Sequence, residues 1–237
     1  MGPGKGAKTV LNVKPSKEIG CDSDTIKAMA NIRSHYPNAV MDSYFSPRVL
    51  LVEGPGDREV VAVLIRRLSK EDEKKQDLDG LGIAIVPCLG KQRFARAAPY
   101  FKKLGKRTYS LSDSEKGSSS DESNIVDACD CSFFWPENTA IEAVLLEKAT
   151  EKTLDDFISN VTELGDAFFV ESGAHKGDFA QKKKDTQRYM KSRLTHRQFA
   201  EFLPDDQIPE AVRLLHNALA DVVSGAVKSE RVDIKCG

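Results

Sequence analysis

Apolar and polar positions alternate between two kinds of segment along this chain. Arg48-Val49-Leu50-Leu51-Val52 and Ile83-Ala84-Ile85-Val86-Pro87 are short continuous apolar runs, followed by Glu53-Gly54-Pro55-Gly56-Asp57 in one case and a Gly90-Lys91 loop in the other. After each turn the apolar residues recur at helical spacing, as Val60, Val61, Leu64, Ile65 and Leu68, and again as Phe94, Ala97, Ala98 and Phe101. A third run, Arg107-Thr108-Tyr109-Ser110-Leu111, leads into Ser112-Asp113-Ser114-Glu115. Continuous apolar strands are those of a parallel sheet covered on both faces. Strand and helix in this alternation imply right-handed crossovers, so the expected class is α/β, a compact parallel sheet flanked by helices.

A short helix is expected over residues 24–33, capped by Asp22 or Ser23. Beyond the third run, helical patterns occur around residues 139–148, 154–164, 195–202 and 209–223, the last with Val212, Leu215, Leu219 and Val222 on one stripe. Residues 70–80 read as a charged loop and 118–123 as a polar one. The resulting division is a flexible leader over 1–22, a core over 23–135, a C-terminal helical extension over 136–225 and a tail over 226–237.

The chain has 237 residues, of which 40% are hydrophobic and 30% charged. These values exclude collagen-like, wholly disordered and small disulfide-rich classes. The longest apolar run, residues 60–65, falls far short of the ~18 residues of a membrane span. With no signal peptide either, a cytoplasmic protein without a membrane partner is expected. The five cysteines stand at no metal-ligand spacing and suit a reducing compartment. The near-match to a phosphate-binding loop at Gly2 to Thr9 has Ala7 in place of its last glycine and no strand to deliver it, so ATP is not expected there. His35, His175, His196 and His216 are dispersed and expected at the surface.

A net charge of −1 conceals two opposed segments. Residues 113–148 hold nine acidic side chains against two lysines, and residues 176–197 hold eight Lys or Arg against two Asp. An acidic cluster suits divalent cations and a basic one suits phosphate; on the charges alone, two solvated faces are the better account. Position narrows the choice. In an open parallel sheet ligands bind at the carboxyl ends of the strands, where Glu53 and Asp57 follow the first run and Asp113 and Glu115 the third. Like charges gathered there need a neutralising cation, and Mg²⁺ or Mn²⁺ suits carboxylate oxygens.

Leu50-Leu51-Val52-Glu53-Gly54-Pro55-Gly56-Asp57 with Leu111-Ser112-Asp113-Ser114-Glu115 resembles the Toprim (topoisomerase-primase) domain. The approach from Tyr44 through Gly54, the Gly90-Lys91 loop, and Trp135-Pro136 followed by Ile141-Glu142 resemble more narrowly the Toprim part of overcoming-lysogenization-defect (OLD) nucleases. The resemblance implies a compact four-stranded parallel sheet and a DNA nuclease that uses two ions of Mg²⁺ or Mn²⁺. Two cations roughly 4 Å apart stabilise both the attacking water and the leaving oxygen. It implies a catalytic and metal-ligating role for Glu53, metal-ligating roles for Asp57, Asp113, Glu115 and Glu142, and a late phosphate-steadying cation, for which Lys191 and Arg197 are the candidates. Glu115 departs from the family's aspartate by one methylene. Lys91, Lys182, Lys183, Lys184, Arg188 and Arg193 are the expected contacts to double-stranded DNA. The resemblance also implies an ATPase domain of a longer protein, and a helicase, as partners. A regulatory DNA-binding Toprim module and an RNA-processing Toprim nuclease are the alternatives.

Overall fold

A computed structural model describes residues 20–72, 75–114, 119–227 and 230–234. The elements run α1 (Ser23–His35), α2 (Pro37–Phe45), β1 (Arg48–Val52), α3 (Pro55–Glu71), β2 (Ile83–Pro87), α4 (Phe94–Lys103), β3 (Arg107–Ser112), α5 (Ser119–Ala128) and β4 (Cys131–Phe134). They continue with α6 (Ile141–Leu145), α7 (Glu151–Glu163), α8 (Phe168–Glu171), α9 (Phe179–Arg193), α10 (His196–Phe202), α11 (Glu210–Ser224) and β5 (Arg231–Asp233). Every strand pairing is parallel, in the order β2-β1-β3-β4-β5.

The continuous apolar strands are explained by the two faces of the sheet. On β1, Leu50 and Val52 join the core built with α3 and helices α6 to α11, while Val49 and Leu51 join the one built with α1, α2, α4 and α5. Successive side chains of a strand point to opposite faces, so a strand buried on both, such as β1, is apolar at successive positions, while the buried Ser110 of β3 is accommodated by its hydrogen bond to Ser132 of β4 at 2.9 Å. The pairing of Arg48 with Ile83 and with Arg107 aligns the strands so that Glu53, Cys88 and Asp113 all leave the sheet at its carboxyl edge.

Three expectations are corrected. The resemblance implied four strands, but Arg231–Asp233, within the expected tail, adds a fifth beside β4. Arg231 anchors it by donating to Glu122 Oε2 at 2.9 Å and lying over the Phe134 ring. The polar stretch expected as a loop at 118–123 belongs instead to α5 from Ser119 on. Asp121 and Glu122 complement the positive end of that helix, and Ile125 buries its apolar side against the α4 face of the sheet. Third, His196 and His216 are buried rather than at the surface; His216 Nε2 meets the Gln76 carbonyl at 2.7 Å. Among the described residues no helix is long and apolar enough to cross a membrane. The leader through residue 19, with its near-match to a phosphate loop, lies outside the described residues.

Candidate active site

The turn after β1 builds the centre of the site. Gly54 caps α3 in extended conformation, and its N–H donates to Asp57 Oδ2 at 3.0 Å, folding that carboxylate back over the helix start. Asp57 is 7% exposed. Burial above all, then the charges of Asp113 and Glu53, raise its pKa from 3.8 to about 7 against the opposing Gly54 hydrogen bond. Glu53 reaches across to β3, where its Oε1 accepts the Asp113 N–H at 3.0 Å. The Gly90 N–H donates to the Glu53 carbonyl at 2.8 Å and draws in the loop after β2. Gly90 sits at φ 105°, which only glycine adopts without strain. Next to it Lys91 is 3% exposed, with its ammonium 3.5 Å from the Asp113 carbonyl. The structure thus places Lys91 inside the acidic cluster rather than on the surface.

The helical part supplies the facing wall. Glu142, at the start of α6, is buried, with Oε1 3.0 Å from His196 Nε2. A carboxylate only accepts, so His196 Nε2 carries the proton of that bond. Burial by itself would raise the Glu142 pKa. The His196 hydrogen bond, the residue's own amide and the charges of Lys191 and His196 together outweigh it and hold Glu142 below its ordinary value. Its Oε2 is buried with no hydrogen bond and lies 3.5 Å from Lys191 Nζ. Around these groups is an open cleft of about 330 Å³, lined by Glu53, Asp57, Gly90, Glu142, Lys191 and His196 among others.

The other expected residues fall outside this cleft lining. Arg197 pairs with Glu201 at 2.8 Å and with Glu59 at 3.6 Å, so Lys191 is the late cation brought to the site. Lys182 is buried between Glu151 at 3.1 Å and Asp155 at 2.7 Å, which ties α9 to α7. Arg188 pairs with the buried Asp185 and Arg193 with Asp166. Lys183 lies over the Phe179 ring and Lys184 is exposed. Glu115 lies outside the described residues.

Sequence reasoning missed His196. Its only signal was Gly56. A Cβ at that position would stand 3.0 Å from three atoms of the His196 ring, so α10 packs onto the first turn of α3 where no side chain intervenes. Backbone strain marks the same end of the molecule. The non-glycine residues at positive φ among those described are Leu89, Asn138 and Leu194. Leu89 precedes Gly90, the Asn138 N–H bonds the Ser114 carbonyl just past Asp113, and Leu194 lines the cleft.

Among the described residues no three Asp, Glu, His or Cys side chains converge closely enough to hold a cation as they stand. Protein donors hold the carboxylates apart: the Asp113 amide holds Glu53, the Gly54 amide Asp57, and His196 Glu142. The chemistry of the set still fits Mg²⁺ or Mn²⁺. Its donors are hard oxygens, one carboxyl resists ionisation because it is buried and then because it faces like charges, and one buried carboxylate oxygen has no hydrogen bond. Such ions are held by one or two carboxylates together with substrate phosphate, so a closed protein cage is not required.

Residues 44–114 match the family model described as overcoming lysogenization defect protein-like, TOPRIM domain. The matched span contains Glu53, Asp57, Lys91 and Asp113 and ends before Glu142, Lys191 and His196. Among solved structures, the chain is similar to the C-terminal region of the Burkholderia pseudomallei OLD protein, at 18% identity and a TM-score of 0.48, over 76% of this chain and 99% of that one. No curated protein sequence matches the chain.

Proposed function

We propose that the chain is a divalent-cation-dependent nuclease region that hydrolyses phosphodiester bonds in DNA. The observation that carries this reading is Asp57, a buried carboxyl near Glu53 and Asp113 whose pKa is pushed up to about 7, with the Lys191 ammonium lining the same cleft. Paired acidic and basic walls suit a phosphodiester and its metal ions better than a neutral small molecule. The match of residues 44–114 to a Toprim model supports the same class.

In this reading Glu53, Asp57 and Asp113 hold one side of the metal site and Glu142 the other, and Glu115, outside the described residues, is assigned to the set by the sequence alone. The cations, when bound, supply Lewis acidity and lower the pKa of a bound water. The chain's own residues do the rest. Glu53 stays aimed by the Asp113 amide, Asp57 gives up its proton as positive charge arrives, His196 holds Glu142, and Lys91 and Lys191 offset the charge of the scissile phosphate. Lys183 and Lys184 lie on the same helix as Lys191 and extend the basic track along the DNA backbone.

The test is nicking of supercoiled plasmid in Mg²⁺, Mn²⁺ and chelator, with single-stranded RNA as a second substrate. Glu53→Gln and Asp113→Asn should each abolish cleavage and leave the melting temperature in chelator unchanged or higher, because each removes one of several crowded like charges. Full activity of either variant refutes the assignment. Cleavage of RNA alone would replace the substrate.

A further inference from the structure

We propose that Lys191 and a divalent cation compete for one oxygen, Glu142 Oε2, so that metal entry releases the Lys191 ammonium toward the substrate phosphate. This rests on the metal-dependent reading above.

The Glu142 carboxylate has one oxygen committed and one not. Oε1 is fixed by His196 Nε2 at 3.0 Å, and that ring is buried and packed on Gly56, so the carboxylate is not free to turn over. Oε2 is inaccessible to solvent and has no hydrogen bond. Its counter-charge is Lys191 Nζ at 3.5 Å, a distance that gives electrostatic attraction without a tight hydrogen bond. The two partners of Glu142 differ in mobility. His196 is enclosed, whereas the Lys191 side chain is 56% exposed in the last turn of α9 on a flexible four-carbon stem. Of the groups on Glu142, the ammonium is the one that can leave.

A divalent cation on Oε2 would bring two positive centres within a few Å of each other, and the mobile one is driven away. Lys191 therefore serves in the metal-free protein as a stand-in charge at Oε2, the carboxylate oxygen that His196 does not reach. Once displaced, it keeps its place on the cleft wall with its charge available to phosphate. The arrangement makes metal binding precede capture of the phosphate by Lys191. It also predicts effects of opposite sign on the two walls of Glu142: removing the competitor tightens metal binding, and removing the positioning imidazole weakens it.

The experiment is calorimetric titration of Mn²⁺ into metal-free protein without DNA, with melting in chelator as the folding control. Lys191→Met should bind Mn²⁺ about five- to tenfold more tightly, a size limited by the solvent exposure of the ammonium. It should nevertheless cleave plasmid more slowly at saturating Mn²⁺. Arg58→Met removes the same charge from the first turn of α3, next to Asp57, and should change Mn²⁺ affinity by less than about twofold if the effect is local competition rather than net field. His196→Ala should bind Mn²⁺ more weakly, and His196→Gln, which keeps an N–H donor, should recover part of the loss. If Lys191→Met binds no more tightly than wild type, or Arg58→Met tightens binding equally, the competition is refuted and the nuclease reading stands. If wild type takes up no Mn²⁺ without DNA, the competition is refuted, and the nuclease reading is then decided by plasmid cleavage in Mn²⁺ against chelator.

Discussion

Asp57→Asn should stabilise the metal-free protein, and by more at pH 8 than at pH 5. The folded-state pKa of Asp57 is raised from 3.8 to about 7, chiefly by burial and then by Asp113 and Glu53. A carboxyl whose folded pKa lies above its unfolded value holds its proton more tightly when folded. Stability is therefore greatest below the unfolded pKa and is lost as pH rises through the window from 3.8 to about 7. Each pH unit inside that window costs about 1.4 kcal/mol, so the part between pH 5 and 7 amounts to about 2–3 kcal/mol, constant thereafter. Asparagine does not titrate, and its Oδ1 still accepts the Gly54 N–H. The advantage of the variant over wild type should thus widen by about 2–3 kcal/mol between pH 5 and pH 8, or about 5–10 °C in melting temperature for a chain of this size. The assay is thermal or urea unfolding of both proteins in chelator across that range. At pH 8, millimolar Mn²⁺ should narrow the gap, because an ion bound by the folded state stabilises wild type by mass action and the variant less. A gap that stays constant from pH 5 to pH 8 would refute the claim that Asp57 is forced toward its neutral form.

Gly56→Ala should cost about 1–3 kcal/mol, since the new Cβ would meet the His196 ring at 3.0 Å in a packed interior, and it should also weaken Mn²⁺ binding by disturbing the His196 contact with Glu142; urea midpoints and calorimetry check the two effects. A variant carrying both Lys183→Glu and Lys184→Glu should bind unrelated duplexes alike more weakly and reduce the slope of log affinity against log salt by about two, read by filter binding over a salt series; a sequence-dependent loss would argue against backbone tracking.

The sheet and the first half of the site were legible in the sequence because both depend on local rules. A doubly buried strand is largely apolar, as β1 and β2 are, and whatever follows a parallel strand emerges at its carboxyl edge, which placed Glu53, Asp57 and Asp113 there before any contact was known. The second half depends on long-range packing. His196 stands 54 residues from Glu142, and a single histidine between Thr195 and Arg197 carries no pattern that distinguishes a buried ring from an exposed one. Gly56 was the available clue, yet it sits in a Pro-Gly turn, where chain reversal explains a glycine just as well. Helix α9 was hidden for a related reason. Its buried side includes Lys182, Asp185 and Thr186 as well as Tyr189 and Met190, so no apolar stripe announces it, and Lys182 reads as a DNA contact until Glu151 and Asp155 are seen around it. Strand β5 has three residues, too few for a period to register, and is held by Arg231 through Glu122 and Phe134.

Several costs of this fold stand together at one end. At the carboxyl edge of the sheet the metal-free protein keeps a carboxyl near neutrality, leaves a carboxylate oxygen buried without a hydrogen bond, and holds Leu89 and Leu194 in the left-handed region at about 1 kcal/mol each. Both apolar cores below that edge follow strand periodicity without exception on β1, so the rigidity that enforces these positions comes from the sheet and its helices. Electrostatic costs of this kind are the ones that the proposed cation would relieve, because it would lower the Asp57 pKa and supply a partner for Glu142 Oε2. Strain at Leu194 is of a different kind. It belongs to the backbone where α9 turns into α10, the segment that carries Lys191 on one side and His196 on the other, and it fixes the spacing of the mobile cation from the imidazole that holds Glu142. The acidic half of the candidate site is set by strand ends, and the response to a cation that we propose for it would be set by a helix junction elsewhere in the sequence.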